Sequence, residues 1–237
     1  MPHPAGTRLP FKDRHDAGRH LAAALDRFRS EHPLILALPR GGVPLGYEVA
    51  VVLDAPLDVI MVRKIGAPGH EEYGLGAVVD GLDPQLVLND EVMQLVRPPP
   101  GYIEKEQQRQ LAEIERRKAL YLRGRPSLPV KDRVVIVVDD GIATGGTAKA
   151  ALKALSRNGA ARVVLAVPVA PSDVVDEFSK LADEVICLAR PEPFLAVGFH
   201  YADFSQTSDE TVVALLDRAA SRSAEQGGHA AANPPDH

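Results

Sequence analysis

The most regular pattern in the chain is a series of short, unbroken apolar runs that alternate with amphipathic segments. The runs lie at residues 34–38, 57–62, 134–138, 162–169 and 184–188. Apolar, β-branched runs without polar alternation are typical of strands that are buried on both faces of a parallel sheet. Between residues 133 and 188 these strands alternate with helical patterns, which predicts βαβ units. The pattern therefore predicts an α/β fold with a parallel, Rossmann-like sheet and helices on both faces.

The segments between the runs divide the chain further. Helical spacing predicts helices at about 14–30, 45–53, 90–96, 102–122, 148–158, 172–181 and 207–220, and a short hairpin joins 77–80 to 85–88. We interpret residues 1–220 as a single domain. Its core spans about 30–88 and 126–188, a helical insertion spans about 89–125, and a small hood combines 189–220 with the N-terminal segment. The polar, Gly- and Pro-containing residues 221–237 are expected to be a disordered tail.

The stretch with the clearest chemistry runs from 133 to 147, with the sequence RVVIVVDDGIATGGT. Asp139 and Asp140 stand where a buried strand would end, and a turn with three glycines and two threonines leads from them into a helix. Ligands of parallel sheets bind just beyond the carboxyl ends of the strands. Helix N-terminal amides attract anions. The stretch predicts a phosphate in the threonine–glycine turn and a polyol, such as a ribose, on the two carboxylates.

This stretch differs from two common phosphate motifs. A P-loop needs a lysine where Gly146 stands, and no G-x-G-x-x-G follows a strand. It strongly resembles the phosphoribosyl diphosphate (PRPP) signature of type I phosphoribosyltransferases, in which a strand, two acids and a small-residue turn end in T-G-G-T. The resemblance implies that Asp139 and Asp140 hold the ribose 2- and 3-hydroxyls. The 5-phosphate would then lie among Gly141, Ala143, Thr144, Gly145, Gly146 and Thr147. An ordinary strand-to-helix connection is the alternative, but it does not explain the whole string.

A second glycine pair follows the first predicted strand, in Pro39-Arg40-Gly41-Gly42. Arg40 offers a forked cation that suits phosphate oxygens. In the phosphoribosyltransferases a similar loop of Lys/Arg-Gly-Gly type binds the diphosphate, and its resemblance implies a cis peptide bond between Pro39 and Arg40. The alternative is a turn with a solvent-facing arginine.

Two further cations, Arg63 and Lys64, follow the second strand, where they would suit a leaving diphosphate or simply be solvated. Residues 65–76 are rich in glycine, and we expect a mobile flap at this point. Family members have a flexible catalytic loop here, so His70 or Glu71 could approach the reacting centre. A polar loop tip explains these two residues equally well.

The acceptor half of the site is marked more weakly. Residues 194–204, FLAVGFHYADF, resemble the segment of hypoxanthine-guanine enzymes that carries a base-stacking aromatic residue and an aspartate near magnesium. By this resemblance Phe194 or Leu195 would lie at the base and Asp203 near the metal or diphosphate. Alternatively, the aromatic residues of this segment only form core and cover. Those enzymes also carry a third aspartate where Ala143 stands here, so the signature offers no general acid or base. His70, Glu71 or Glu72 would have to supply one.

Composition limits the other possibilities. The 237 residues carry a formal net charge of −5, which argues against a general nucleic-acid surface. The single cysteine, Cys187, excludes an internal disulfide, fits a reducing cytoplasm and lies in a predicted core strand, where we interpret it as a packing residue. Neither a membrane-spanning apolar run nor a signal peptide is visible.

Together, the motifs favour a cytoplasmic, magnesium-dependent phosphoribosyltransferase that uses PRPP and a nucleobase-like acceptor. The resemblance also makes a homodimer plausible. A non-catalytic sensor of PRPP or a nucleotide is the main alternative, and the Arg63–Lys64 pair argues against it because a sensor does not expel diphosphate. A phosphatase would favour D-x-D, whereas Asp139 and Asp140 are adjacent.

Overall fold

A computed structural model describes residues 9–81 and 83–231, and of residues 71, 72 and 226–231 it describes the backbone alone. The strands are β1 Leu34–Ala37, β2 Leu57–Val59, β3 Val62–Ala67, β4 His70–Val79, β5 Gln85–Leu88, β6 Val134–Val138, β7 Arg162–Val169 and β8 Glu184–Ala189. The α-helices are α1 Arg14–Leu25, α2 Gly42–Leu53, α3 Asp90–Val96, α4 Tyr102–Leu122, α5 Gly146–Arg157, α6 Ser172–Phe178 and α7 Asp209–Ala231. Two 3₁₀ helices span Asp26–Glu31 and Val197–His200.

The centre of the molecule is a five-stranded parallel sheet in the order β2-β1-β6-β7-β8. Its middle strand, β6, is covered on both faces. Ile136 and Val138 pack in one apolar cluster with α1 and α2, whereas Val135 and Val137 pack in another with α5 and α6. This burial explains why the sequence of β6 is continuously apolar. The predicted parallel α/β sheet with helices on both faces is confirmed.

Strands β3, β4 and β5 form a separate antiparallel sheet, which packs between α4 and α5. The predicted hairpin at its β4–β5 end is confirmed. Two expectations are wrong. Residues 65–76 form most of the β3–β4 hairpin rather than a loop, and Arg63 and Lys64 lie inside β3 rather than at the end of a parallel strand. Ile65 and Leu75 are fully buried, so the segment does contribute to the core despite its glycines.

Helix α4 forms most of the predicted insertion. Ile114 and Tyr121 are buried on its inner side, against β3 and α7. On its outer side Arg109 pairs with Glu106, and Arg116 pairs with Glu113, one helical turn earlier in each case. The two arginine side chains remain 61% and 65% exposed, as expected for a solvated helix face.

Both ends of the described chain lie on the carboxyl side of the parallel sheet. Asp13 caps α1 by accepting a hydrogen bond from the amide of Asp16 at 2.8 Å. Just before it, the backbone of Phe11 bonds with residues 200 and 202, which joins the N-terminal segment to the rest of the hood. The last helix, α7, continues to Ala231. The predicted end near residue 220 was therefore too early, and residues 221–231 of the expected disordered tail are helical.

Two smaller expectations concern Cys187 and the membrane. The thiol of Cys187 donates to the carbonyl of Ala189 at 3.2 Å, and burial raises its pKa to about 11. A thiol with this pKa is a poor nucleophile, which agrees with a packing role. Within 9–81 and 83–231, no helix is both long and apolar enough to cross a membrane.

Candidate active site

Two loops meet at the carboxyl ends of β1 and β6, and glycines allow their close approach. A Cβ atom on Gly41 would lie 2.1 Å from Oδ2 of Asp140, and one on Gly42 would lie 2.5 Å from the carbonyl oxygen of Val138. Only glycine fits these positions without a shift of the neighbouring chain. The peptide bond between Pro39 and Arg40 is cis, as the resemblance implies. The structure therefore brings the arginine–glycine loop and the acid pair into contact.

The two adjacent carboxylates occupy different environments. Oδ1 of Asp139 accepts a hydrogen bond from the amide of Asp140 at 2.9 Å, and the amide of Asp139 lies 3.4 Å from the carbonyl of Ala166. Burial raises the pKa of Asp139 well above its ordinary value, and repulsion from Asp140 adds to the shift. Burial also raises the pKa of Asp140, but a guanidinium opposes this shift. Asp140 is therefore the member of the pair that ionises more readily.

That guanidinium belongs to Arg14, in the first turn of α1, which sequence reasoning missed. Its Nε and Nη2 atoms each lie 2.8 Å from Oδ2 of Asp140. The two side chains are only 11% and 15% exposed. No local motif marks Arg14, because its partner lies 126 residues away in the sequence.

The hood covers the acid pair from above. The hydroxyl of Tyr201 donates to the backbone carbonyl of Asp140 at 2.6 Å, and the ring of Tyr201 packs against Phe11 with centroids 5.6 Å apart. Val197 packs so closely on the following residue that a Cβ on Gly141 would lie 2.5 Å from it. These contacts hold the carboxyl end of β6 in a fixed position beneath the hood.

The threonine–glycine turn leads directly into α5. Gly145 has a φ of 71°, and a Cβ there would meet the Phe178 ring at 2.5 Å, so this position requires glycine. Within the described chain, no side chain caps the N-terminus of α5. Ala143 and Thr144 are exposed at the turn. The first amides of a helix without such a cap are available to an anion.

Arg40 points away from the acid pair, toward the insertion. Its Nη1 lies 3.8 Å from Oδ1 of Asp209, at the start of α7, and the hydroxyl of Tyr121 donates to the same oxygen at 2.5 Å. Burial, followed by the hydrogen bond to Asp209, raises the pKa of Tyr121 to about 12. This contact links the arginine–glycine loop to α4 and α7.

Arg63 and Lys64 face opposite sides of their strand, as successive strand residues do. Nε of Arg63 donates to Oε1 of Gln110 on α4 at 3.0 Å, and Gln110 is only 6% exposed. Lys64 instead lines a cavity of about 560 Å³ together with Gly146 and Lys149, beside the start of α5. The two cations therefore cannot attend the same phosphate from these positions.

The residues expected to contact the acceptor are spread along the hood and the hairpin. Phe194 packs against His200, with ring centroids 5.1 Å apart, and Leu195 is 71% exposed. His70 is exposed near the hairpin turn, where its ring lies edge-on to Tyr73 at 6.0 Å. The side chain of Glu71 lies outside the described residues.

Asp203, expected near a metal, is exposed. It accepts a hydrogen bond from the amide of Ser205 at 2.9 Å, and bonds to the hydroxyl and amide of Ser205 lower its pKa. Among the residues that the structure describes, no group of three or more His, Cys, Asp or Glu side chains is placed to hold a metal ion. A metal at this site would therefore need ligands from a bound substrate.

Comparisons with known proteins agree with this geometry. The family model of the phosphoribosyl transferase domain matches residues 11–203. A Mycobacterium tuberculosis H37Rv protein, provisionally named phosphoribosyl transferase Rv0571c, is 49% identical over 226 residues, which are 95% of this chain and 51% of the relative. The chain thus spans about half the length of that relative. The crystal structure of TT1426 from Thermus thermophilus shares 44% identity and a TM-score of 0.76, and covers 88% of this chain and 98% of that chain. The chain belongs to the phosphoribosyl transferase domain family.

Proposed function

We propose that the protein transfers the 5-phosphoribosyl group of PRPP to a nitrogen acceptor, such as a nucleobase, and releases diphosphate. The observation that carries this proposal is the contact between the Arg40–Gly42 loop and the Asp139–Asp140 pair. It puts a diphosphate-type loop beside two ribose-type carboxylates, next to the N-terminus of α5. The three parts match the three chemical groups of PRPP.

The ribose and its phosphate would occupy the β6 side of this site. Asp139 and Asp140 would accept hydrogen bonds from the 2- and 3-hydroxyls. Backbone amides and hydroxyls of residues 143–147 would donate to the 5-phosphate, with support from the positive end of the α5 dipole. Holding the sugar at both ends fixes C1 relative to the acceptor, which is a large part of what an enzyme contributes to such a transfer.

The diphosphate would leave toward the β1 side. Cleavage of the bond between C1 and the diphosphate oxygen leaves positive charge on the ribose ring and negative charge on the departing group. Arg40 would stabilise that negative charge after exchanging its contact with Asp209 for a phosphate oxygen. From their opposite faces of β3, Arg63 would assist on the α4 side and Lys64 beside the start of α5.

Magnesium fits this arrangement as a companion of the substrate. Mg²⁺ keeps several waters and is usually held by one or two carboxylates together with substrate phosphates. The exposed carboxylate of Asp203 is the protein ligand that we propose for it, since its neighbouring groups are hydroxyl and amide donors rather than further acids. The ion would supply charge neutralisation on the diphosphate.

The acceptor would enter beneath Phe194 and Leu195, and its nitrogen would attack C1 as the diphosphate leaves. Because Ala143 has no ionisable side chain, the proton of the acceptor must go elsewhere. His70 on the β3–β4 hairpin is the described side chain that we propose for this step, together with its neighbour Glu71. An acceptor that ionises before it binds would not need either residue.

A direct test is the release of diphosphate from PRPP and magnesium in the presence of a panel of purine and pyrimidine bases. We expect release with at least one base, and its loss in the Arg40→Gln variant. The variant Arg109→Gln, on the exposed outer face of α4, is a suitable control. Binding of PRPP without release with any base would contradict the enzymatic proposal.

One observation favours a second candidate, a protein that senses PRPP or a nucleotide without catalysis. The signature loop carries Ala143 instead of an acid, and a sensor needs no proton transfer. The diphosphate assay separates the two, because a sensor would bind PRPP and leave it intact.

A further inference from the structure

Arg14 contacts three parts of the candidate site from the first turn of α1. Two of its nitrogen atoms lie 2.8 Å from Oδ2 of Asp140, and its Nη1 donates to the carbonyl of Ser205 at 2.6 Å. Its guanidinium also lies 3.9 Å from the centroid of the Phe204 ring. The pair with Asp140 is largely shielded from water, so solvent screens it less than an exposed ion pair.

The geometry of this ion pair is one-sided. Both contacts from Arg14 fall on Oδ2 of Asp140, which leaves Oδ1 outside the ion pair. The backbone of the same residue is held separately, because Tyr201 donates to its carbonyl. With one oxygen and the backbone fixed, the direction of Oδ1 is fixed as well.

We propose that Arg14 is a positioning residue, which keeps Asp140 ionised and directs its Oδ1 toward a hydroxyl of the bound ribose. The proposal rests on the ribose-phosphate site described above. It adds α1, an element outside the signature loops, to the parts that determine how tightly and at what pH the sugar binds.

The charges around Asp140 support this role. Asp139 is the neighbouring acid, Tyr201 is a phenol whose pKa burial raises, and Arg40 pairs with Asp209 instead. Burial raises the pKa of Asp140, and Arg14 is the cation that lowers it. Without Arg14, the two adjacent carboxyls would take up a proton more readily near neutral pH, and a protonated carboxyl accepts fewer hydrogen bonds.

The test is calorimetric titration with ribose 5-phosphate between pH 6.5 and 9, on the wild type, Arg14→Gln and Arg14→Lys. The ratio of the variant Kd to the wild-type Kd cancels the titration of the ligand itself. For Arg14→Gln we expect binding weaker by roughly tenfold at pH 7, with a ratio that falls as the pH rises. Arg14→Lys, which keeps a positive charge, should recover most of the loss.

The control is Phe204→Leu, which removes the ring beneath the guanidinium but not its charge. Its effect on Kd should not depend on pH. A ratio for Arg14→Gln that stays constant with pH, or a lysine variant no better than the glutamine variant, would overturn the proposal. If Arg14→Gln does not fold, the pH dependence of the Arg14→Lys ratio decides in the same way. Failure of the wild type to bind ribose 5-phosphate would instead overturn the proposed function.

Discussion

The guanidinium of Arg14 lies 2.8 Å from the carboxylate of Asp140, although 126 residues separate them in the sequence. This contact joins the N-terminal helix to the loop that follows the central strand. Together with the bond from Tyr201 to the Asp140 carbonyl, it makes the acid pair part of a packed unit rather than an exposed loop. Changes in the hood should therefore affect ligand binding as well as stability.

The glycine at position 41 is the most demanding test of the contact between the two loops. In Gly41→Ala the new methyl group would overlap Oδ2 of Asp140, and we expect a loss of about 1–3 kcal/mol in the free energy of unfolding. Affinity for ribose 5-phosphate should fall as well, since Asp140 must move. Urea unfolding and calorimetry measure the two effects. Gly74→Ala is the control, because a Cβ there has no atom within 4 Å, and equal effects in both variants would contradict the account.

The hydroxyl of Tyr201 offers a milder change. Tyr201→Phe removes the donor at 2.6 Å from the Asp140 carbonyl and leaves the ring packing against Phe11 intact. We expect a loss of about 1–3 kcal/mol in stability, because a largely buried carbonyl loses its partner. Thermal or urea unfolding measures it. The matched control is Tyr73→Phe, at a tyrosine that is 61% exposed, and it should change stability little. An unaltered Tyr201→Phe protein would show that the hood does not hold this loop.

The insertion should influence the diphosphate through Arg63. Gln110→Ala removes the acceptor that holds the guanidinium of Arg63 on the α4 side. If Arg63 contributes to diphosphate binding, affinity for PRPP should fall severalfold while affinity for ribose 5-phosphate stays the same. Gln108→Ala, at an exposed position on the same helix, is the control. Equal losses for both ligands would indicate a general effect on folding instead.

A buried acid outside the site should govern part of the pH dependence of stability. Asp80 is 6% exposed, accepts a hydrogen bond from the Met61 amide at 2.6 Å and lies 3.3 Å from Nζ of Lys118. Burial raises its pKa to about 6, from 3.8. Since the folded state binds this proton more tightly, its contribution is complete below pH 4 and is lost as the pH rises through 6. The expected loss is about 3 kcal/mol.

The variant Asp80→Asn tests this sign. The asparagine can still accept from the Met61 amide but does not titrate, so the variant should gain stability relative to the wild type between pH 4 and pH 7. Chemical unfolding at several pH values gives the difference. Asp176→Asn, whose side chain is 78% exposed in the wild type, should show no such trend. A relative loss of stability with rising pH would contradict the assignment.

The features that sequence predicted well are those with local signals. The unbroken apolar run of β6, the two acids after it and the glycine turn all depend on residues within one segment. The same is true of the loop at 39–42, whose cis bond followed from the family resemblance. A local signal was also available for Arg63 and Lys64. Alternation along a strand places consecutive side chains on opposite faces, but the glycines around them favoured a loop.

The missed features depend on contacts across long sequence distances. Nothing near Arg14 indicates that it reaches Asp140, and nothing near Arg40 indicates a pair with Asp209. The end of α7 was missed for a different reason. Gly227 and Gly228 predict a break, since each costs about 1 kcal/mol in a helix, but the alanines around them favour helix.

The most direct test of the central claim is calorimetric titration of PRPP with magnesium, on the wild type and on the double variant Asp139→Asn/Asp140→Asn. The substitutions keep the shape of the acids and remove their charge. The control is Asp132→Asn, the same change at an exposed position just before β6. The account predicts saturable binding to the wild type and the control, and its loss in the double variant. Equal binding to all three proteins, or none to the wild type, would contradict a ribose-phosphate site at the end of β6.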